Sequence, residues 1–199
     1  MKASIMDYGV GNLHSISKGL ERAGAIVEVV SNPSELADAE CIVFPGVGAF
    51  GAAMRVLNPL LPSLRRKISS GTPVLGVCLG MQILFERSEE SEGEGVGVLK
   101  GDVRRLTEGR IPQMGWNDVL SNQDPLFTDI PRSTKFYFAN SYVCYPEESI
   151  AVSETDYGGK FPSAVRKGTI CGVQFHPEKS GPAGLALLRN FVKIAEGSE

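Results

Sequence analysis

The chain has 199 residues, of which 42% are hydrophobic and 22% charged, and a formal net charge of −3. With a mean hydropathy near zero, that length suits one domain with a sizeable core and excludes intrinsic disorder. The balance offers no basic field for a nucleic-acid backbone, no apolar run reaches the roughly 20 residues of a membrane span, and Met1 to Asp7 lacks the apolar centre of a signal peptide.

Lys2 to Asp7 reads as a short strand that ends at Tyr8-Gly9-Val10-Gly11-Asn12. A helical period follows through Leu13, Ile16, Leu20 and Ala23 and is closed by Gly24. Ile26 to Val30 is a second strand. Asn32-Pro33-Ser34 makes a turn, with a short acidic helix up to Glu40. Cys41 to Phe44 is a third strand, stopped by Pro45-Gly46. Helical material runs from about Ala49 to Ser69, with interruptions near Pro59 and Pro62. Val74 to Val77 is a fourth strand, and Leu79 to Phe85 opens another helix. Continuously apolar strands alternating with helices imply a parallel sheet covered on both faces.

Beyond Phe85 the pattern changes. Glu89 to Gly97 is a Gly- and Glu-rich loop. Strand-like pieces follow at Val98-Leu99, Val103 to Leu106, Asp118 to Leu120, Phe136 to Ala139, Tyr142 to Tyr145, Ile150 to Glu154, Phe161 to Arg166 and Thr169 to Phe175. Gly158-Gly159 and Lys167-Gly168 suit hairpin tips, so this half is antiparallel material. A closing helix follows Ser180-Gly181-Pro182, with Leu185, Leu188, Val192 and Ala195 on one face. No internal repeat or long linker divides the chain, so residues 1–199 are expected to form a single domain.

Four cysteines and two histidines carry the reactive possibilities. Cys41, Cys144 and Cys171 lie in apolar runs and read as buried thiols. No Cys-x-x-Cys pair exists and the spacing offers no zinc site, so a reduced, cytosolic protein without metal or cofactor is expected. Cys78 differs. In Gly76-Val77-Cys78-Leu79-Gly80 a buried strand enters and a helix leaves, the setting of a nucleophile elbow, in which small neighbours let the chain turn tightly. Such a thiol needs a base, and the base an orienting group. Gln174-Phe175-His176-Pro177-Glu178 supplies both at the end of a strand. His14, at the start of the first helix, is the rival base, although no carboxylate follows it. Pro45-Gly46-Val47-Gly48-Ala49-Phe50-Gly51 contains a literal G-x-G-x-x-G. It admits a dinucleotide site, but it follows the third strand and has Arg65, Arg66 and Lys67 where an acid belongs. The other reading is a turn whose backbone N–H groups face an oxyanion.

Together these motifs resemble the class I, triad-type glutamine amidotransferases. Pro112-Gln113-Met114-Gly115-Trp116-Asn117, Phe136-Tyr137-Phe138 with Ser141-Tyr142, and the segment from Phe161 to Gly168 narrow the resemblance to the glutaminase subunits of imidazole glycerol phosphate synthase. The resemblance covers nearly the whole chain. It implies a three-layer α/β fold with a mostly parallel central sheet flanked by helices and an antiparallel extension. It makes Cys78 the nucleophile, His176 the acid and base, and Glu178 the group that orients His176. The N–H groups of Val47 and Leu79 would form the oxyanion hole, with Gly46, Gly48, Gln82, Glu90, Ser141 and Tyr142 about the L-glutamine substrate. The implied partner is a (β/α)8-barrel cyclase in a heterodimer, met through Val10, Asn12, Met114, Trp116 and Asn117. The cyclase would use the ammonia on a phosphoribosylated carboxamide intermediate. A glutaminase serving another ammonia-dependent synthase is the alternative. One departure stands out: Asn140 replaces a histidine common at this place in the family. Its amide does not titrate near neutral pH and so cannot act as a general base there, and it is expected to position a loop through its amide, at the pocket rim or partner surface.

Overall fold

A computed structural model describes residues 1–9 and 13–197. Its first half alternates as the sequence predicts: β1 (Lys2–Met6), α1 (Leu13–Ala23), β2 (Ile26–Val30), β3 (Cys41–Phe44), α2 (Phe50–Leu57), α3 (Leu61–Ser69), β4 (Val74–Val77) and α4 (Leu79–Ile83). The acidic stretch before β3 is a 3-10 turn, Pro33–Asp38, opened by the Asn32 side chain accepting from the Ser34 N–H at 3.1 Å. The two prolines of the predicted 49–69 helix have different effects. Pro59 lies in a 3-10 turn, Asn58–Leu60, that separates α2 from α3. Pro62 lies in the first turn of α3, where the missing N–H costs no hydrogen bond, and so starts a helix rather than interrupting one.

The second half adds β5 (Arg87–Ser88), β6 (Gly101–Arg105), β7 (Gln113–Ser121), β8 (Ser133–Asn140), β9 (Tyr142–Pro146), β10 (Ala151–Asp156), β11 (Lys160–Lys167), β12 (Ile170–Val173) and α5 (Gly181–Ala195). Two expectations need correction. Val98-Leu99 is a bend, not a strand: Leu99 is fully buried and its N–H donates to the Leu84 carbonyl, so the apolar pair anchors a loop. The strand expected at Asp118 to Leu120 runs from Gln113 to Ser121 and pairs with β8 from Gln113↔Asn140 to Leu120↔Ser133. Its exposed positions are polar or lone apolar residues, which hid its first half from a search for apolar runs.

The described strands form a nine-stranded sheet in the order β2-β1-β3-β4-β12-β11-β10-β7-β8, and a small second sheet, β5-β6-β9. Pairing is parallel from β2 to β12 and antiparallel from β12 to β8. Alternation along the parallel strands separates two cores. Ala3, Ile5, Cys41, Val43, Leu75, Val77, Cys171 and Val173 point toward α1 and α5, against Ile16, Leu20, Leu187, Leu188 and Phe191. Met6, Ile42, Phe44 and Val74 point the other way, toward Phe50, Met54, Leu57, Leu64 and Ile68 of α2 and α3. Each large side chain buried this way contributes roughly 1.5–3 kcal/mol, so both helical layers are held firmly to the sheet. The buried face of α5 is Leu187, Leu188, Phe191, Val192 and Ile194; Leu185 and Ala195 of the predicted stripe are only half-buried. Under the antiparallel strands, Phe136 stacks on Phe175 with ring centroids 4.2 Å apart, and Phe138 meets Phe161 and Phe175 edge-on. This cluster fixes β8 beside the end of β12.

Candidate active site

The link between β4 and α4 is a tight elbow at Cys78, with φ 50° and ψ −105°. A non-glycine residue in this region costs about 1–3 kcal/mol and persists only where its surroundings over-determine it. Here they do. The Cys78 N–H donates to the Val173 carbonyl of β12 at 2.7 Å. A Cβ on Gly76 would lie 2.5 Å from the Gly80 carbonyl oxygen, and a Cβ on Gly80 would lie 1.9 Å from the Phe44 carbonyl oxygen. Both glycines are therefore required by backbone contact, which explains their spacing about the cysteine.

β12 runs parallel to β4, and the chain beyond it brings His176 to the same end of the sheet. His176 is buried. Its N–H donates to the Tyr137 carbonyl at 2.8 Å, and its own carbonyl accepts from Ser180 Oγ at 2.6 Å. Nδ1 lies 2.8 Å from Glu178 Oε1. The carboxylate can only accept, so Nδ1 carries hydrogen and Nε2 is left for chemistry. Nε2 is buried and has no protein hydrogen-bond partner. Burial alone would lower the pKa of the imidazole, but the Cys78 sulfur and the Glu178 carboxylate outweigh it and raise the value to about 9. Burial pushes the Cys41 thiol up to about 12 and the Cys144 thiol well above the ordinary value, so both stay protonated.

The glycine turn at residues 46–48 closes the third side. A Cβ on Gly46 would lie 3.0 Å from His176 Cε1 and 3.2 Å from Cys78 Cβ, so the turn rests directly on both. The dinucleotide reading of this segment fails on the structure. The first N–H of α2, from Phe50, already holds Glu90 Oε2 at 2.7 Å, where an anionic ligand would have to bind. His14, the rival base, is exposed on α1.

A cleft of about 210 Å³ opens beside the sulfur, lined by Gly46, Val47, Gly48, Cys78, Leu79, Gln82, Glu90, Pro112, Ala139, Asn140, Ser141 and Tyr142. The structure thus brings together all the predicted oxyanion and substrate residues. Gln82 is more constrained than the sequence suggests. Its Nε2 donates to the Tyr142 carbonyl at 3.1 Å and to Gln174 Oε1 at 3.2 Å, so both amide hydrogens are used. Asn140 lies buried in the cleft wall rather than at an exposed rim, and its Nδ2 also donates to the Tyr142 carbonyl, at 3.1 Å. Sequence reasoning missed Gln174, although a polar residue inside the apolar run from Ile170 to Phe175 was a signal. It also missed the Ala139 carbonyl, 3.8 Å from Cys78 Sγ, which no side-chain pattern announces.

The expected partner surface divides. Met114 and Trp116 are 67% and 55% exposed, so both are available for contact. Trp116 meets Tyr137 edge-on with ring centroids 6.3 Å apart, and Lys179 Nζ lies 5.7 Å from the Tyr137 ring centre. Asn117 is half-buried and engaged within the chain: Nδ2 donates to the Asp156 carbonyl and Oδ1 accepts from the Asp118 N–H. Val10 and Asn12 lie outside the described residues. No helix among the described residues is long and apolar enough to cross a membrane.

Residues 4–195 match the family model described as glutamine amidotransferase class-I. The imidazole glycerol phosphate synthase subunit HisH of Methanocaldococcus jannaschii is 44% identical over 193 residues, covering 96% of this chain and 98% of that protein. Subunits of the same name from Thermococcus kodakarensis and Aquifex aeolicus are 46% and 44% identical, covering 96% and 98% of this chain and 99% and 98% of their own lengths. Among solved structures, a glutamine amidotransferase superposes with a TM-score of 0.77 at 20% identity, over 98% of each chain. A PurLQS structure from Thermotoga maritima superposes with a TM-score of 0.75 at 19% identity, over 96% of this chain and 97% of that one. These two likenesses establish a shared fold.

Proposed function

This chain belongs to the class I glutamine amidotransferases, among the HisH subunits of imidazole glycerol phosphate synthase, and we propose that it hydrolyses L-glutamine at Cys78 and passes the ammonia to a cyclase partner. The observation that carries the reading is the convergence of the Cys78 elbow, the His176–Glu178 pair and the glycine turn on one cleft.

In this scheme the Cys78 thiolate attacks the side-chain amide carbon of glutamine. The new C–S bond pushes charge onto the amide oxygen, which the N–H groups of Leu79 and Val47 receive. His176, held protonated by Glu178, gives its proton to the nitrogen as the C–N bond breaks, and ammonia leaves. The resulting glutamyl thioester is opened by water. His176 takes the water's proton, the C–S bond breaks, and glutamate departs. Glu90, Gln82, Ser141 and Tyr142, with Gly46 and Gly48, surround the substrate; Gln82 has only its carbonyl oxygen left to offer, which suits an ammonium group.

Residues 1–199 act as one domain in the cytoplasm, paired with a (β/α)8-barrel cyclase. The cyclase performs the lyase step, converting a phosphoribosylated carboxamide intermediate to imidazole glycerol phosphate and an aminoimidazole carboxamide ribotide. Met114 and Trp116 are the exposed anchors for it, and Val10 and Asn12 join them through the family resemblance. The test uses the assembled complex. Cys78→Ala should abolish glutamine-dependent synthesis, because no other group can carry the thioester, while synthesis from added ammonium salt persists. Retained glutamine-dependent turnover would remove Cys78 from its role.

A further inference from the structure

A backbone carbonyl can only accept hydrogen bonds, and that of Tyr142 accepts two from side-chain amides. One comes from Asn140 Nδ2 and the other from Gln82 Nε2, each at 3.1 Å. The second of these fixes which end of the Gln82 amide is nitrogen. That nitrogen uses its other hydrogen on Gln174 Oε1 at 3.2 Å, so Gln174 must turn its own nitrogen the opposite way. Gln174 Nε2 lies 3.4 Å from Cys78 Sγ. Reversing the Gln174 amide would set nitrogen against nitrogen at Gln82 and oxygen against sulfur at Cys78. The Gln174 side chain is fully buried, so water cannot substitute for either contact, and its backbone N–H is held separately by the Ser163 carbonyl at 2.9 Å.

We propose that Gln174 is a positioning residue for the nucleophile: a buried carboxamide relay, anchored on the Tyr142 carbonyl and passing through Gln82, aims its N–H at Cys78 Sγ and favours thiolate over thiol. This rests on the reading of Cys78 as the nucleophile. In the thiol state the sulfur accepts from Gln174, and its own proton is directed at the Ala139 carbonyl, 3.8 Å away. On ionisation the Ala139 contact is lost and the Gln174 contact becomes charge-assisted, the stronger kind of hydrogen bond. The relay therefore acts on the charged state. It also joins the nucleophile to Gln82 and Asn140 of the cleft wall, so that three side chains share one anchor.

The test follows iodoacetamide alkylation of Cys78 in the full-length chain across pH, read by mass spectrometry of the Cys78 peptide. Gln174→Met keeps the volume and removes the donor. Its alkylation midpoint should rise by about one pH unit, making labelling about tenfold slower below the midpoint. Gln174→Glu keeps the acceptor for Gln82 and faces the sulfur with a carboxylate, so its midpoint should rise further. Wild-type protein supplies a readout independent of variant folding: in a ¹⁵N-labelled sample the Gln174 side-chain amide signals should shift with the same midpoint as Cys78 alkylation. A folded Gln174→Met protein with an unchanged midpoint would overturn the relay, as would amide signals that ignore the Cys78 titration. Failure of the nucleophile assignment would show separately, in the turnover of Cys78→Ala, because alkylation reports the sulfur whatever it does to glutamine.

Discussion

Gly80→Ala perturbs the elbow from behind without touching a reactive group. A methyl group there would lie 1.9 Å from the Phe44 carbonyl oxygen, against the 3.0 Å that Cβ atoms respect, and 2.6 Å from the Phe44 carbonyl carbon. Neither neighbour can yield as a flexible side chain would. Phe44 ends β3, is fully buried, and pairs with Gly76 of β4. Relief therefore requires α4 to move away from β3 by roughly 1 Å, and it carries Cys78 with it; a displacement of that size at a reacting group costs about 10²-fold in rate. The overpacking itself costs about 3 kcal/mol, at the upper end of such insertions. For a chain of this length that is a fall of about 6–12 °C in melting temperature. The assay pairs differential scanning fluorimetry with glutamate release by the complex with its cyclase. Gly159→Ala is the control: no heavy atom comes within 4 Å of the added Cβ and its φ is ordinary, so it should stay within about 0.5 kcal/mol of wild type. A Gly80→Ala enzyme that melts and turns over like wild type would refute the view that backbone contact sets this motif.

Glu178→Gln should let the His176 pKa fall from about 9 toward its ordinary 6.5. Because the folded value is the raised one, the stability contributed by the charged ring is complete below pH 6.5 and lost as pH climbs through 9; urea melts across that window should show a flatter decline in the variant than in wild type. Asn140→Leu leaves the Tyr142 carbonyl with one donor and should lower glutamine-dependent kcat/KM by more than tenfold, whereas Asn140→His should stay within about tenfold, a barrier change below ~1.4 kcal/mol. Trp116→Ala should leave the melting temperature of the isolated chain nearly unchanged while weakening cyclase binding about 30-fold, measured by calorimetry, as loss of an exposed aromatic anchor does.

The parallel half of the fold was legible because its strands are apolar on both faces and its helices have one apolar stripe, so period and composition agree. The elbow was legible for a related reason: two glycines flanking a cysteine between strand and helix answer a steric demand that the structure shows as contacts with Phe44 and Gly80. The early part of β7 was not legible, since Met114, Trp116 and Asp118 alternate with less exposed residues on a strand with one face toward solvent. Nor was Val98-Leu99, where two apolar residues fill a core position without pairing. In the site, Cys78, His176 and Glu178 could each be picked out from its own local motif, and the structure brings His176 and Glu178 together, with the Gly46 turn resting on both Cys78 and His176. What could not be read was the way Tyr142, Gln82, Asn140 and Gln174 share hydrogens, because a hydrogen-bond partner far along the chain leaves no periodic trace.

β12 lies in the interior of the large sheet, between β4 and β11, and it delivers both Gln174 and the approach to His176. Gln174 stands 96 positions after Cys78 in the chain. At the ordinary pace of translation, roughly 5–20 residues per second, a nascent chain spends about 5–20 seconds with Cys78 made and Gln174 not yet made. β4 cannot gain its second neighbour until that later segment has been synthesised and has inserted beside it. An interrupted chain lacking β12 therefore also lacks Gln174, His176 and Glu178, and leaves the Cys78 N–H without the Val173 carbonyl that receives it. The meeting of Gln174 with Cys78 thus reports that the middle of the sheet has closed.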